Sequence, residues 1–169
     1  MPVIMWVLLL LIIFQRLYEL VVAKRNERWM KEQGGIESGQ EHYRWFVIVH
    51  ALFFVSILVE VLVIGRAITV NYFLLALFFL LQAARVWCIA SLGKFWNTKI
   101  IILPEASLVM KGPYKFISHP NYVIVGIELF VIPLLFGAII TAIIFPLLHI
   151  LLLTVRIPAE ERALENLAK

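Results

Sequence analysis

The fold class is indicated by an apolar run at residues 122–155, which reads YVIVGIELFVIPLLFGAIITAIIFPLLHILLLTV. Gly137 divides this run into two segments, residues 122–136 and 138–155. A bilayer core about 30 Å thick is crossed by roughly 20 helical residues, and both segments are somewhat shorter than that. The run therefore predicts a hydrophobic helical hairpin in the C-terminal half of the chain.

Three longer apolar runs precede the hairpin, at residues 3–23, 45–64 and 68–92, with a break at Gly65 and Arg66. Of the 169 residues, 63% are apolar and only 15% are charged. Charged residues make up about a quarter of an ordinary soluble domain. We therefore predict an all-α integral membrane protein with about five transmembrane helices in one domain, residues 1–169. Residues 1–92 would hold the three N-terminal spans.

Basic residues are concentrated in three polar segments, residues 24–44, 94–121 and 156–169. Only Arg66 lies in the link between the second and third runs, and the turn at Gly137 has no basic residue. The positive-inside rule then places the three polar segments and the C-terminus in the cytoplasm and the N-terminus outside. Because apolar runs interrupt the basic residues, the net charge of +4 indicates membrane orientation and no nucleic-acid partner.

Several polar residues lie in or near the apolar runs, where an ionisable group costs several kcal/mol unless it is paired or reaches water. Arg16 is expected to extend toward the interface with Glu19 beside it, three residues on. Arg85 is expected to pair with Glu60 or Glu128, in a structural role or as part of a site. His50 and His149 are interpreted as core histidines, and we predict no metal site because catalytic zinc needs three protein ligands.

Two polar stretches flank the hairpin. Residues 111–122 read KGPYKFISHPNY, and residues 156–164 read RIPAEERAL. In the first, turns and a helix cap explain the glycine, the prolines and Asn121, but they do not require Tyr114, His119 and Tyr122 together. In the second, a helical turn would bring Arg156 toward Glu160. Glu160 and Glu161 near a helix N-terminus are also explained by stability alone. Two short apolar segments, KIIILP and ASLVMK, follow the third apolar run and lead into the first polar stretch. They are expected to form a small ribbon or to lie at the membrane interface.

In this order, GPYKFISHPNY, the hairpin and RIPAEERAL resemble the isoprenylcysteine carboxyl methyltransferase family of membrane methyltransferases. The resemblance covers roughly residue 94 to the end of the sequence. RLYELVVAKRNERW and GGIESGQEHY, nearer the N-terminus, resemble a small bacterial branch linked to methylation of lipid-like polyketides such as alkylpyrones. One position departs from the family pattern, because Ser118 stands where an arginine commonly precedes the His-Pro pair.

The resemblance implies an S-adenosylmethionine-dependent O-methyltransferase whose cofactor-binding and catalytic part is residues 93–169. The methyl acceptor would be an acidic oxygen, carboxylate or enol, of a lipid-like molecule, and membrane lipid would be the other partner. The site would lie in a cytoplasmic loop of a multi-pass protein of the bacterial cytoplasmic membrane. Arg156 would orient the acceptor oxygen, and Glu161 would hold Arg156 or shape the entrance. The implied cofactor-binding residues are Lys111, Gly112, Pro113, Tyr114, His119, Pro120, Tyr122 and Glu160.

Two other functions remain open at this point. A phospholipid-type N-methyltransferase would need a carboxylate base for a neutral amine, and Glu128 or Glu161 has the right chemistry. A non-catalytic membrane protein that binds lipid or carries ions would use Arg16, Glu60, Arg85 and Glu128 as an intramembrane polar track. The sequence gives no prediction of the oligomeric state.

Overall fold

The computed structural model describes residues 2–64, 69–104 and 106–167, and within them the chain forms five α-helices joined by connections of different length. The all-α prediction is confirmed. The predicted break at Gly65 and Arg66, the predicted start of the third span at Ile68 and the last residue, Lys169, lie outside the described residues. The helices are α1 Val3–Glu32, α2 Gln40–Ile64, α3 Tyr72–Leu92, α4 Pro120–Leu135 and α5 Ile139–Leu167.

Four of these helices, α1, α2, α3 and α5, are long and apolar enough to cross a bilayer. With 16 residues and a rise of 1.5 Å per residue, α4 is about 24 Å long, less than the bilayer core. Large apolar side chains are exposed on the outer faces of the helices, as lipid contact requires, with Phe14, Leu62 and Leu80 among them. The protein is therefore an integral, multi-pass membrane protein in which α4 is the short member of the predicted C-terminal hairpin.

Two helices continue well past the predicted ends of their apolar runs. The first, α1, extends nine residues beyond Ala23, and its buried Asn26 donates to the carbonyl oxygens of Gly93 and Trp96 at 3.2 and 2.7 Å. The last, α5, runs through Arg156 and Pro158 without a break, so the predicted separate tail is the final part of this helix. Its end is supported by contacts with the two strands described next.

A two-stranded antiparallel ribbon joins two of the polar segments at one end of the helix bundle. Its strands are β1 Ile36–Ser38 and β2 Ile100–Ile102, with Ile36 opposite Ile102 and Ser38 opposite Ile100. KIIILP therefore contributes a strand to a ribbon, which was one of the two predicted alternatives. Its partner strand, β1, comes from the α1–α2 connection. The described part of ASLVMK is irregular. The ribbon holds the α1–α2 connection next to the loop that leads into α4.

The hairpin turn lies between Leu135 and Ile139, with Gly137 in the left-handed region at φ +70°. Glu60 of α2 caps the start of α5: its carboxylate accepts from the backbone N–H groups of Ile140 and Thr141, both at 2.9 Å. Carboxylates are favoured at helix N-termini because several backbone N–H groups there lack helical partners. With this end fixed, the opposite end of α5 lies beside the start of α4, where the polar motifs meet.

Candidate active site

The two polar motifs meet where the beginning of α4 faces the last turns of α5. The phenolic hydroxyl of Tyr122 lies between the side chains of Arg156 and Glu160. It donates to Glu160 Oε2 at 2.5 Å and accepts from Arg156 Nε at 2.8 Å. The predicted approach of Arg156 to Glu160 is therefore indirect, and Tyr122 links the cation to the carboxylate.

Arg156 is buried, with 7% of its surface exposed. Its Nη2 donates to the carbonyl oxygen of Thr98 at 2.6 Å, and its guanidinium lies 4.8 Å from the ring centre of Phe46. Among the described residues, no carboxylate forms a salt bridge with it. Removing a cation from water is costly unless an anion lies beside it. The position therefore favours binding of an anionic group.

His119 stacks on Tyr122 with 5.4 Å between ring centres and lies close to both carboxylates of the tail. Its Nδ1 is 3.9 Å from Glu160 Oε2, and its Nε2 is 3.6 Å from Glu161 Oε1. The Glu161 side chain is 57% exposed and contacts His119 rather than Arg156. Two roles were predicted for Glu161. The structure shows no contact that would let it hold Arg156, among the described residues, whereas its exposure agrees with a position at the entrance of the site. Pro120 begins α4, where its fixed φ suits the first helical turn.

The remaining predicted cofactor residues, Lys111–Tyr114, lie against α3. Gly112 adopts φ +54°, and a Cβ at this position would lie 2.1 Å from Ser91 Oγ, so glycine is required. Lys111, Gly112 and Pro113 line neither of the two cavities described below. Tyr114 is partly buried against the helix core. Burial raises the pKa of its hydroxyl and the charge of Glu160 adds to this effect, so Tyr114 stays protonated.

An interior cavity of about 320 Å³ lies beside Arg156 and Tyr122. Its volume is within the range of small-molecule sites, about 300–1,000 Å³. Three buried polar atoms lack a hydrogen-bond partner in the described part of the chain, and all three belong to residues that line this cavity. Because buried polar atoms are nearly always bonded, the cavity suits a ligand that supplies both donors and acceptors. The three atoms are Trp96 Nε1, Asn121 Oδ1 and His149 Nδ1.

A second, outer groove of about 630 Å³ runs between α4 and α5. Most of its lining is apolar, with side chains such as Val123, Ile127 and Leu153. Tyr122 and His149 line both the groove and the interior cavity. These two side chains therefore form a wall between the interior cavity and the outer groove.

The far side of the interior cavity is a closed ring of ionic bonds between α1, α3 and α4. Arg85 forms a two-pronged contact with Glu19, at 2.6 to 3.0 Å, and donates to Glu128 at 2.9 Å. Arg16 bonds to the same two carboxylates at 3.0 and 2.8 Å. The predicted pairing of Arg85 with Glu128 is correct. Glu60 caps α5 instead, and Arg16 pairs inside the protein rather than extending to the interface.

Sequence reasoning missed most of the cavity lining. Asn121 was interpreted as a helix cap and His149 as an ordinary core histidine, and Trp96 was not among the candidate site residues. For Asn121 a usable signal existed, since it lies within the HPNY element itself. For Trp96 no such signal existed, because the loop that contains it is positioned by long-range contacts such as the hydrogen bond from Asn26.

Comparison with known proteins agrees with this geometry. The model of the isoprenylcysteine carboxyl methyltransferase (ICMT) family matches residues 73–166. This range includes all the residues described above as contacting Tyr122 or Arg156, except Phe46. The chain belongs to the ICMT family. This is a family of membrane methyltransferases, and membership at this level implies methyl transfer to a lipid-like acceptor.

Two relatives of this chain are bacterial proteins of similar length. The chain is 43% identical over 162 residues to the uncharacterized protein YpbQ of Bacillus subtilis, covering 95% of this chain and 96% of that protein. It is 29% identical over 154 residues to an uncharacterized protein of Haemophilus influenzae, covering 90% of each. No solved structure matches the chain at a significant level.

Proposed function

We propose that this ICMT-family protein is an S-adenosylmethionine-dependent O-methyltransferase that methylates an acidic oxygen, carboxylate or enol, of a lipid-like acceptor. Family membership supports the reaction class. One structural observation supports the rest: buried Arg156, without a carboxylate salt bridge among the described residues, borders a cavity lined by three residues that each have a buried polar atom without a partner in the described part of the chain. A charged, polar small molecule would satisfy both features.

The residues present fit S-adenosylmethionine, which has a carboxylate, an ammonium, ribose hydroxyls and an adenine. His119 would meet the carboxylate end, and Glu160 would accept hydrogen bonds from the ammonium or hydroxyls. Trp96 Nε1 is a free donor and Asn121 Oδ1 a free acceptor, a combination that suits the edge of an adenine. When bound, the cofactor would supply an electrophilic methyl group on a positively charged sulfur.

The contribution of the protein is then positioning and exclusion of water. Tyr122 and Thr98 fix the guanidinium of Arg156 through Nε and Nη2, and no hydrogen bond to Nη1 is formed within the described residues. Nη1 can therefore orient the oxygen of the methyl acceptor. Because Arg156 already donates hydrogen bonds to Tyr122 and Thr98, it would hold that oxygen without suppressing its reactivity fully. The apolar groove between α4 and α5 would receive the lipid-like part of the acceptor.

The two alternative functions receive less support from the geometry. Glu128 bonds to Arg16, Arg85 and Gln82, so it is engaged and poorly suited as the base of an N-methyltransferase. An ion-carrying track through Glu60 is also disfavoured, because the described contacts of Glu60 go to the start of α5. We therefore keep O-methylation as the proposal.

The proposed membrane arrangement follows from the basic residues. The ribbon, the start of α4 and the end of α5 lie at one end of the bundle, and the basic segments flank that end. By the positive-inside rule this end would face the cytoplasm, where S-adenosylmethionine is made. The host membrane would be a bacterial cytoplasmic membrane, since both relatives come from bacteria.

The experiment is product identification. Membranes containing the protein are incubated with isotope-labelled S-adenosylmethionine and a panel of lipid-linked acids, enols and amines, and labelled products are identified by mass. The proposal expects labelled esters or enol ethers and much lower turnover in Arg156→Lys, which keeps the charge but loses the planar fork. Arg162→Lys, on the exposed face of the same helix, is the control and should match the parent. Label only in amines would contradict O-methylation, and no label in any product would contradict the enzyme assignment for these classes.

A further inference from the structure

Two histidines that line the interior cavity each have one ring nitrogen without a hydrogen-bond partner among the described residues. His149 Nε2 lies 3.1 Å from the carbonyl oxygen of Tyr122, and His50 Nδ1 lies 2.8 Å from that of Phe46. A carbonyl oxygen only accepts, so each of these ring nitrogens must carry the hydrogen. In a neutral imidazole the other nitrogen is then an acceptor without hydrogen. The free acceptors are Nδ1 of His149 and Nε2 of His50.

The orientation of the His149 ring is fixed by its fit against α4. Gly126 lacks a side chain, and a Cβ there would lie 3.4 Å from His149 Cδ2 and 3.8 Å from Nε2. The Cδ2–Nε2 edge of the ring therefore faces α4. Nδ1 is on the other edge, buried and without a partner among the described residues, in a side chain that is only 2% exposed. The ring of His50 lies 6.3 Å away, edge to face.

We propose that His149 Nδ1 is the proton acceptor of this site, with His50 Nε2 as a second hydrogen-bond acceptor for the same ligand. This inference rests on the proposed function and narrows its acceptor class. Two lone pairs attract a group that carries a hydrogen, whereas the oxygens of a carboxylate would be repelled by them. The acceptor is therefore a molecule that enters with its hydroxyl hydrogen in place, rather than a carboxylate.

The step balances with the groups named. The oxygen–carbon bond forms as the carbon–sulfur bond breaks, the electron pair stays on sulfur, and the hydroxyl hydrogen passes to His149 Nδ1 as a proton. The single positive charge is on sulfur before the step and on the His149 imidazolium after it. Arg156, which borders the same cavity, stabilises the negative charge that develops on the oxygen meanwhile.

Two probes that differ only in the hydroxyl hydrogen test the inference without methyl transfer. Purified protein in detergent is titrated calorimetrically with 4-nitrophenol, at a pH low enough to keep it unionised, and with its methyl ether 4-nitroanisole. Titrations of micelles alone are subtracted. One hydrogen bond to Nδ1 predicts a preference for the phenol of roughly two- to tenfold in wild type. Equal affinity for the two probes in wild type would overturn the proposal, whatever the variants do.

A pair of variants separates this role from a structural one. His149→Gln places an amide N–H near the position of Nε2, so it can keep the bond to Tyr122 while removing the acceptor at Nδ1. His149→Asn places an amide oxygen near Nδ1 and gives up the bond to Tyr122. The proposal expects the phenol preference to disappear in His149→Gln and to persist, in part, in His149→Asn. The reverse result would show that His149 serves only to hold α5 against α4.

Titration of the same preparations with S-adenosylhomocysteine separates this inference from the proposed function. If S-adenosylhomocysteine binds wild type and the phenol is not preferred, the role of His149 is wrong and the proposed function stands. If S-adenosylhomocysteine does not bind, the methyltransferase assignment fails, and with it the catalytic role of His149.

Discussion

Tyr122 donates its phenolic hydrogen to Glu160 with 2.5 Å between the two oxygens, although the residues lie on different helices, 38 positions apart. The same hydroxyl accepts from Arg156, so one side chain connects a buried cation to a partly exposed carboxylate. This link requires α5 to continue as a helix beyond the apolar run, because only then do Arg156 and Glu160 face α4 together. The hydroxyl of Tyr122 therefore connects the polar stretch before α4 with the polar end of α5 in one site.

Replacement of Tyr122 by phenylalanine should uncouple this site while leaving the ring that packs against His119. Arg156 and Glu160 would each lose a hydrogen bond that involves a charged group. A loss of about 1.5 kcal/mol corresponds to a roughly tenfold weaker affinity for S-adenosylhomocysteine. Calorimetric titration in detergent measures it, with Tyr18→Phe on the exposed face of α1 as control. Unchanged affinity in Tyr122→Phe would remove the Tyr122 hydroxyl from the cofactor site.

His119→Ala and Glu160→Gln should both weaken binding of S-adenosylhomocysteine by roughly ten- to a hundredfold, the effect of one lost charged hydrogen bond. Glu161→Gln is the matched comparison, because Glu161 is adjacent in sequence but mostly exposed. It should change affinity much less than Glu160→Gln. Equal losses at the two glutamates would mean that general charge near the tail matters, rather than the position of Glu160.

Arg85→Met should destabilise the protein strongly, because it leaves Glu19 and Glu128 with fewer counterions in a buried setting. Removal of one partner from a buried ionic group typically costs about 3–5 kcal/mol. Thermal unfolding in detergent reports the change, and Arg25→Met on the exposed side of α1 is the control. A melting temperature equal to that of the parent would show that the ring of charges contributes little to stability.

The ionic contacts of the ribbon predict a pH dependence. Burial alone would raise the pKa of Glu37, but hydrogen bonds from Lys31 and Lys99 outweigh it and hold that pKa below its usual 4.5. A carboxyl with a lowered folded-state pKa stabilises the fold above its ordinary pKa, and this contribution is lost as the pH falls through the lowered value. Wild type should therefore be more stable than Glu37→Gln at neutral pH.

The difference in melting temperature between wild type and Glu37→Gln should shrink as the pH is lowered below about 4.5. Glu32→Gln, a nearby exposed glutamate, should show no comparable trend. A difference that stays constant from neutral to acidic pH would mean that Lys31 and Lys99 do not stabilise the ionised Glu37.

The sequence was sufficient for features that depend on local pattern. Gly137 between two apolar runs predicts the hairpin, since few other residues adopt a positive φ so easily. The two polar motifs also identified His119, Tyr122, Arg156 and Glu160 as candidates, and the structure brings these four together.

Features that depend on long-range packing could not be predicted in this way. The ribbon pairs two strands of three residues each, too short for a recognisable alternation, across 64 positions from Ile36 to Ile100 in the sequence. The charge ring joins Glu19 to Arg85, and only the packing of α1 against α3 decides this choice among several carboxylates. Unpaired atoms such as Trp96 Nε1 exist only once the surrounding cavity has formed.

Binding of S-adenosylhomocysteine to the purified wild-type protein tests the central claim most directly. The account predicts saturable binding of one molecule per chain in detergent, measured by calorimetry, with adenosine bound much more weakly because it lacks the charged end that His119 and Glu160 would meet. Absence of saturable binding, or equal affinity for adenosine, would contradict the assignment of this site to S-adenosylmethionine.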